Sequence, residues 1–216
     1  MNSSWRQSTG TVGLVAVDGP RGVNVMACEW SYFVNKDPVW VAVILGPRTA
    51  SKALIEAAGR FAVTFCCEAQ AALADFVGSC SVTEVDKATS GALTLEPGEH
   101  TPYVAGGVVA VECELRQIVP LPVHTMYLAR VTAEHLPPIA GRPLVKHRGM
   151  YGLGQALPRT EVVAATRRLD GDRARVIATG PPPDGRLDTE VRVPPGTWRV
   201  VVERGDAVPG TAAVLG

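Results

Sequence analysis

The alternation of apolar and polar positions changes period several times along the chain, and those changes predict its elements. Thr11–Val17 is an apolar run of strand length. Asp18-Gly19-Pro20-Arg21-Gly22 has the composition of a turn. Val23–Val34 is long and apolar, and in extended form it carries Asn24, Met26, Cys28 and Trp30 on one face. Asn35-Lys36-Asp37-Pro38 predicts a turn, and the unbroken run Val39–Leu45 predicts a strand buried on both faces. The period then lengthens. Ala50–Ala58 predicts a helix with Thr49 or Ser51 as N-cap and Gly59 as its stop. Arg60–Cys66 predicts a strand, and Glu68–Val77 a second helix ended by Gly78. Ser79–His100 is polar and irregular, as in a surface loop. Val108–Val119 and Val123–His135 predict long strands on either side of Pro120-Leu121-Pro122, and Leu144–Leu153 another. Long, mostly antiparallel strands with helices confined to two crossovers predict a mainly β fold: a closed antiparallel barrel with helices plugging its ends.

From Pro158 onward the pattern shortens. Glu161–Leu169 and Arg173–Thr179 flank Asp170-Gly171, a hairpin signal. Leu187, Thr189, Val191 and Val193 alternate with Asp188, Glu190 and Arg192, and Pro194-Pro195-Gly196 leads to a last apolar run at Trp198, Val200 and Val202. This predicts a small antiparallel sheet with one apolar face. The expected division is a barrel domain over residues 1–157 and a β-rich C-terminal extension over 158–216. The extension is too small to supply its own core, so it is expected to pack on the barrel or on a partner subunit.

Composition narrows the function classes. Of 216 residues, 46 % are hydrophobic and 19 % charged, so the chain is not of the disordered type. Lys plus Arg equals Asp plus Glu at 21 each, so no charge excess points to a nucleic acid or an anionic membrane. No run approaches the ~18 apolar residues of a membrane span. The start MNSSWRQSTG lacks the features of a signal peptide. Five cysteines, with Cys66 and Cys67 adjacent, form neither a disulfide framework nor a CxxC pair, and with four histidines they never fall at zinc spacing. The expectation is a reduced, cytoplasmic, soluble protein without a metal site. Walker, GxGxxG and GxSxG loops are absent from the sequence.

Several stretches, in order, carry a resemblance. They are GVNVMACEW (Gly22 to Trp30), GPRTASKALI (Gly46 to Ile55), DFVGSCSVTEVDK (Asp75 to Lys87), VHTMYLARV (Val123 to Val131) and HRGMYGLG (His147 to Gly154). Together, over about residues 10–155, they are similar to the flavin reductase-like family of FMN-binding split barrels, especially its flavoredoxin-like branch. The resemblance implies a homodimer with FMN near the subunit boundary and NADH or NADPH as reductant. It implies that the reduced flavin serves a partner monooxygenase or a small-molecule acceptor. A dedicated enzyme with permanently held flavin, or a non-catalytic flavin carrier, is the alternative.

FMN needs a phosphate cradle, donors along the ring edge and an open face for hydride delivery. Arg48, Thr49, Ser51 and Lys52 place hydroxyls and cations at a helix start, which suits the cradle; the same residues also suit an ordinary capped helix. By the resemblance, Ser51 holds the usual phosphate-contacting position, while Arg48 is displaced from the usual basic one. Met26, Ala27, Cys28, Glu29, Trp30 and Ser31 form the segment whose backbone lies along the ring. Cys28 is read either as a small buried hydrophobe or as a redox group. His124 is the catalytic candidate, matching the family histidine beside the nicotinamide; the other reading is a solvent-facing histidine at a strand start. Around it, Pro122-Val123 and Ala129 replace the family's Gly-Asp and Gly. Ser81 is a candidate flavin contact, but Val82 stands where the family has Gly. Asp86-Lys87 reads as a local ion pair.

Overall fold

The computed structural model describes residues 4–82, 84–139, 141–155, 157, 163–179, 186–193, 196 and 213–214. The chain divides into two compact units, residues 1–154 and 155–216. Among the described residues no helix is long and apolar enough to cross a membrane.

In the first unit the chain runs β1 (Gly13–Gly19), β2 (Gly22–Cys28), β3 (Ser31–Lys36), β4 (Val39–Leu45), α1 (Ser51–Ala58), β5 (Arg60–Phe65) and α2 (Ala71–Ser79). It continues through β6 (Leu95–Glu96), β7 (Tyr103–Val104), β8 (Val109–Pro120), β9 (Thr125–His135), β10 (Leu144–His147) and β11 (Gly149–Gly152). Seven strands form one sheet in the order β2-β1-β5-β8-β9-β4-β3, and every pairing in it is antiparallel. Side chains from across that order meet in one cluster: Val15 and Val17, Val41 and Val43, Phe61 and Val63, Val111 and Tyr127. A sheet whose distant strands share one core is rolled into a barrel. The protein is a mainly β, antiparallel split barrel.

Alternation divides each strand between two cores. Val15 and Val17 point into the barrel, whereas Leu14 and Ala16 point outward and pack with Val25, Ala62, Ala74 and Val77. The two helices therefore have different jobs. Ile55 of α1 enters the barrel core, so α1 plugs an end as expected. Ala74 and Val77 of α2 cover the outer face of β1, β2 and β5, so α2 is a cover rather than a second plug.

Several predicted boundaries move. The run Val23–Val34 is two strands, because the chain leaves one end of the sheet order at Cys28 and enters the other end at Ser31. The seam is held by the Ile44 N–H, which donates to Trp30 O at 3.0 Å. The N-cap of α1 is Ala50, with no side-chain cap, rather than Thr49 or Ser51. Gly59 does stop α1: it adopts a left-handed φ of 65° and its N–H donates to Ile55 O at 2.9 Å. A 3₁₀ turn, Glu68–Gln70, precedes α2, and the helix passes through Gly78 to Ser79. Leu144–Leu153 is a tight hairpin, β10 against β11, rather than one strand.

One loop is fixed by a buried carboxylate. Glu112 of β8 is 1 % exposed. It accepts hydrogen bonds from the backbone N–H groups of Glu99, His100 and Thr101 at 2.7, 2.6 and 2.8 Å. It also pairs with His135 Nε2 at 2.8 Å. Burial raises the Glu112 carboxyl pKa, but these four bonds outweigh it and the net direction is down. Gly98 is required here, since a Cβ would collide with Thr101 O and Glu112 Oε1.

In the second unit β12 (Val163–Arg168), β13 (Arg173–Thr179), β14 (Arg186–Arg192) and β15 (Ala213–Val214) form a sheet in the order β14-β13-β12-β15. The hairpin at Asp170-Gly171 is present, and Ala174, Val176 and Ala178 on one face of β13 are buried. The expected run at Trp198, Val200 and Val202 lies outside the described residues.

Candidate functional site

A pocket of about 520 Å³ opens where the β1–β2 turn, the start of α1, residue 82 and residues 84–87 come together. That volume is in the range of small-molecule sites. Its lining includes Arg21, Asn24, Ala50, Leu54, Asp86 and Lys87.

The lining residue Asn24 and its neighbour Ser51 are polar and almost wholly buried. Asn24 is 6 % exposed and Ser51 is 1 % exposed. The Asn24 amide Nδ2 donates to Ser51 Oγ at 2.8 Å, which ties β2 to the first residue of α1. Asn24 Oδ1 has no hydrogen-bond partner. Rotating the amide by half a turn exchanges the roles, and one polar atom is then still left over. A buried amide atom without a partner costs about 1–3 kcal/mol, a cost that a ligand bonding to it would remove. The uncapped start of α1 adds backbone N–H groups beside it.

Lys87 forms the floor. It is 4 % exposed, and its Nζ donates to Val25 O and Val77 O, each at 2.9 Å. The ammonium therefore joins β2 to the C-terminal end of α2, where carbonyls favour a cation. Burial pushes its pKa down. No ion pair with Asp86 forms: Asp86 Oδ1 instead accepts from the N–H groups of Ala88 and Thr89.

A second cluster lies at the barrel seam. The rings of Trp30 and His124 are 5.0 Å apart, and Trp5 meets Trp30 edge-on at 6.0 Å. The Arg6 guanidinium lies over Trp5 at 5.2 Å. His124 closes the tight turn before β9, in which the Leu121 N–H donates to His124 O at 2.9 Å. Beneath the seam, Ser31 Oγ donates to Cys28 O at 3.1 Å, and the Cys28 thiol lies near the Trp30 and Ile44 carbonyls. Burial pushes the Cys28 thiol pKa up, which suits a packed side chain rather than a reactive thiolate.

The family model for the flavin reductase like domain matches residues 5–154. The chain belongs to this flavin reductase-like family. A comparison with curated proteins gave no significant match. Among solved structures, an FMN-binding protein from Thermus thermophilus with bound p-hydroxybenzaldehyde is 22 % identical. It superposes with a TM-score of 0.65 over 73 % of this chain and 95 % of its own. The styrene monooxygenase flavin reductase of Pseudomonas putida is 21 % identical, with a TM-score of 0.65 over 73 % of this chain and 99 % of its own. A Streptomyces globisporus NADH:FAD oxidoreductase is 20 % identical, with a TM-score of 0.63 over 70 % of this chain and 90 % of its own. These likenesses establish the split-barrel fold. Residues 155–216 lie outside the family match.

On this flavin reductase-like barrel the residues proposed from sequence fall into three groups. Ser51 is not itself a lining residue but lies behind the pocket wall, bonded to the lining residue Asn24. Trp30 and His124 stand together at the seam, with Cys28 and Ser31 buried below them. Met26 packs against the barrel core and Ala27 against the outer core, while Glu29 is half-buried in the break between β2 and β3. Arg48, Thr49, Lys52 and Ser81 are not among the pocket-lining residues. Ser81 instead opens a turn, its N–H donating to Glu84 Oε2 at 2.7 Å. Two residues gain importance that sequence reading did not give them. Asn24 had a visible signal, as the single polar inward position in GVNVMAC; Lys87 had none, because both of its partners are backbone carbonyls.

Proposed function

We propose that the first unit binds FMN and works as an NAD(P)H-dependent flavin reductase-type oxidoreductase, as a homodimer. The observation that carries the reading is the unpartnered amide atom of Asn24, beside Ser51, in a pocket at the start of α1 of a flavin reductase-like barrel. FMN offers what that wall lacks: ribityl hydroxyls that donate and accept, and a phosphate for the helix start. Ser51 and Asn24 would hold the chain of the cofactor, with Thr49, Arg48, Lys52 and Arg21 supplying hydroxyl and cationic groups nearby. Val25 O faces the open side of β2 toward Lys87, so alternation puts the N–H groups of Val23 and Ala27 on that same side. Bound flavin supplies the hydride chemistry; the protein orients it and excludes water. His124, held against Trp30, is the group placed to bond a nicotinamide carboxamide or hold a proton.

Support for a partner that consumes reduced flavin comes from the similar styrene monooxygenase reductase. The similar FMN-binding protein with a bound aldehyde supports the second reading, a barrel that keeps its flavin and acts on a small carbonyl compound. The test is purification of the full chain, titration with FMN, FAD and riboflavin, and anaerobic stopped-flow mixing with NADH and NADPH. The reading expects FMN to bind at least about tenfold more tightly than riboflavin, since a phosphate adds charge-assisted bonds of about 1.5–3 kcal/mol each. Equal affinity would refute the phosphate site, and a flavin that neither nucleotide reduces would refute the reductase. Size-exclusion chromatography tests the dimer.

A further inference from the structure

The sheet of the second unit, outside the family match, has two unlike faces. Ala174, Val176 and Ala178 of β13 are buried on one. On the other, the period of two brings arginines into register across three strands. Arg173 stands opposite Arg192, and Arg175 stands between Glu190 on β14 and Arg167 on β12. Arg186 ends the same face, opposite Thr179. All of these arginines are exposed.

The acids on this face do not neutralise it. Asp188 accepts from Arg175 Nε and Nη2 at 2.8 and 2.9 Å and from Arg186 at 3.2 Å. Glu190 accepts from Arg173 at 3.1 Å. Arg175, then Arg186, holds the Asp188 carboxyl down at about 2, so these charges are fixed at ordinary pH. Among the described residues of this face, five guanidiniums against two carboxylates leave an excess of three positive charges. Arg167 and Arg192 make no ion pair among the described residues. The ion pairs lock the central guanidiniums in place, which lowers the entropy lost when an outside carboxylate meets their free N–H groups.

We infer that this arginine face is a docking surface for a carboxylate-rich patch on a partner protein. Three features favour a protein over a nucleic acid. Fixed carboxylates lie in the middle of the face and repel a continuous polyphosphate, which carries about one charge per 1.7 Å. The chain as a whole has no net charge to add non-specific attraction. The cations of the face are all arginine, the cation enriched at protein interfaces where lysine is depleted.

The test uses the full chain and fluorescence anisotropy with two labelled probes, a 20-residue poly-glutamate peptide and a 20-nucleotide single-stranded DNA. The variants are Arg167→Glu with Arg192→Glu, the same pair changed to Gln, and a charge-matched control, Lys36→Glu with Arg60→Glu, in the first unit. Thermal melting verifies that each variant is folded. The expected result is peptide binding that weakens with salt, falls at least tenfold in the Glu pair and less in the Gln pair, and is unchanged in the control. Absent peptide binding at low salt would overturn the inference, as would tighter binding of the DNA or an equal loss in the control. The flavin titration proposed above is read independently, so either conclusion can fail without the other.

Discussion

Replacing Asn24 by Leu separates a ligand-binding residue from a packing residue. Leucine keeps the branching of asparagine at Cγ, with two methyl groups in place of the amide oxygen and nitrogen, and position 24 is 6 % exposed on the inward face of β2. Without ligand, the change leaves the buried Ser51 Oγ without its partner, Asn24 Nδ2, at a cost of about 1–3 kcal/mol. It also removes a buried acceptor without a partner, whose burial costs about 1–3 kcal/mol. The two terms oppose each other and are of the same size. The flavin-free variant is therefore expected to lie within about 1 kcal/mol of wild type in stability. With ligand the balance shifts toward wild type, because the left-over amide atom then has a partner. Losing that bond is expected to weaken FMN by about 1–3 kcal/mol, roughly 5- to 150-fold. The assays are urea denaturation without flavin and FMN titration by fluorescence quenching. A variant destabilised by more than about 2 kcal/mol with unchanged FMN affinity would show that Asn24 is a structural clamp, and the argument for the pocket would fail.

Three further outcomes follow from geometry already described. Glu112→Gln puts an amide NH₂ where a backbone N–H or His135 must donate, and is expected to cost about 2–5 kcal/mol at neutral pH by denaturant titration. The folded-state carboxyl pKa lies below its unfolded value of 4.5, so this stabilisation is present above pH 4.5 and lost as pH falls through the folded value. The gap between wild type and variant must therefore narrow in acid, and a gap independent of pH would contradict the assignment. Lys87→Met strips two charge-assisted bonds but also removes a buried charge, so a net loss of about 1–3 kcal/mol is expected; a change within 0.5 kcal/mol would mean that the bonds only offset desolvation. His124→Ala is expected to slow flavin reduction by at least about tenfold with FMN affinity unchanged, and unaltered kinetics with both nicotinamides would remove it from the catalytic reading.

Features written locally in the chain were legible in it. The limits of β4 match the unbroken run Val39–Leu45, and those of β13 match Arg173–Thr179, because turn residues bound both. The glycine stop of α1 was readable for the same reason. Features set by closure of the barrel were not. Hydrophobicity continues from Val23 to Val34, and nothing in it marks the place where the chain crosses from one end of the sheet order to the other. Glu112 alternates with Val111 and Cys113 as a solvent-facing strand residue would; a distant loop buries it. Within the candidate site the motif order led to Ser51, which lies next to the pocket behind Asn24. The partner of its hydroxyl, Asn24, lies on another element, and such pairing has no signature in linear spacing.

The contact between Lys87 and Val25 has a consequence for solubility. β2 ends the sheet order, and a terminal strand with free carbonyls is a template on which a foreign strand can grow. The Lys87 ammonium occupies the Val25 carbonyl midway along that strand and sets a fixed charge beside it. An incoming strand would have to displace a cation already bonded to two carbonyls before it could align. The lysine among the pocket-lining residues thus also hinders strand addition at this edge.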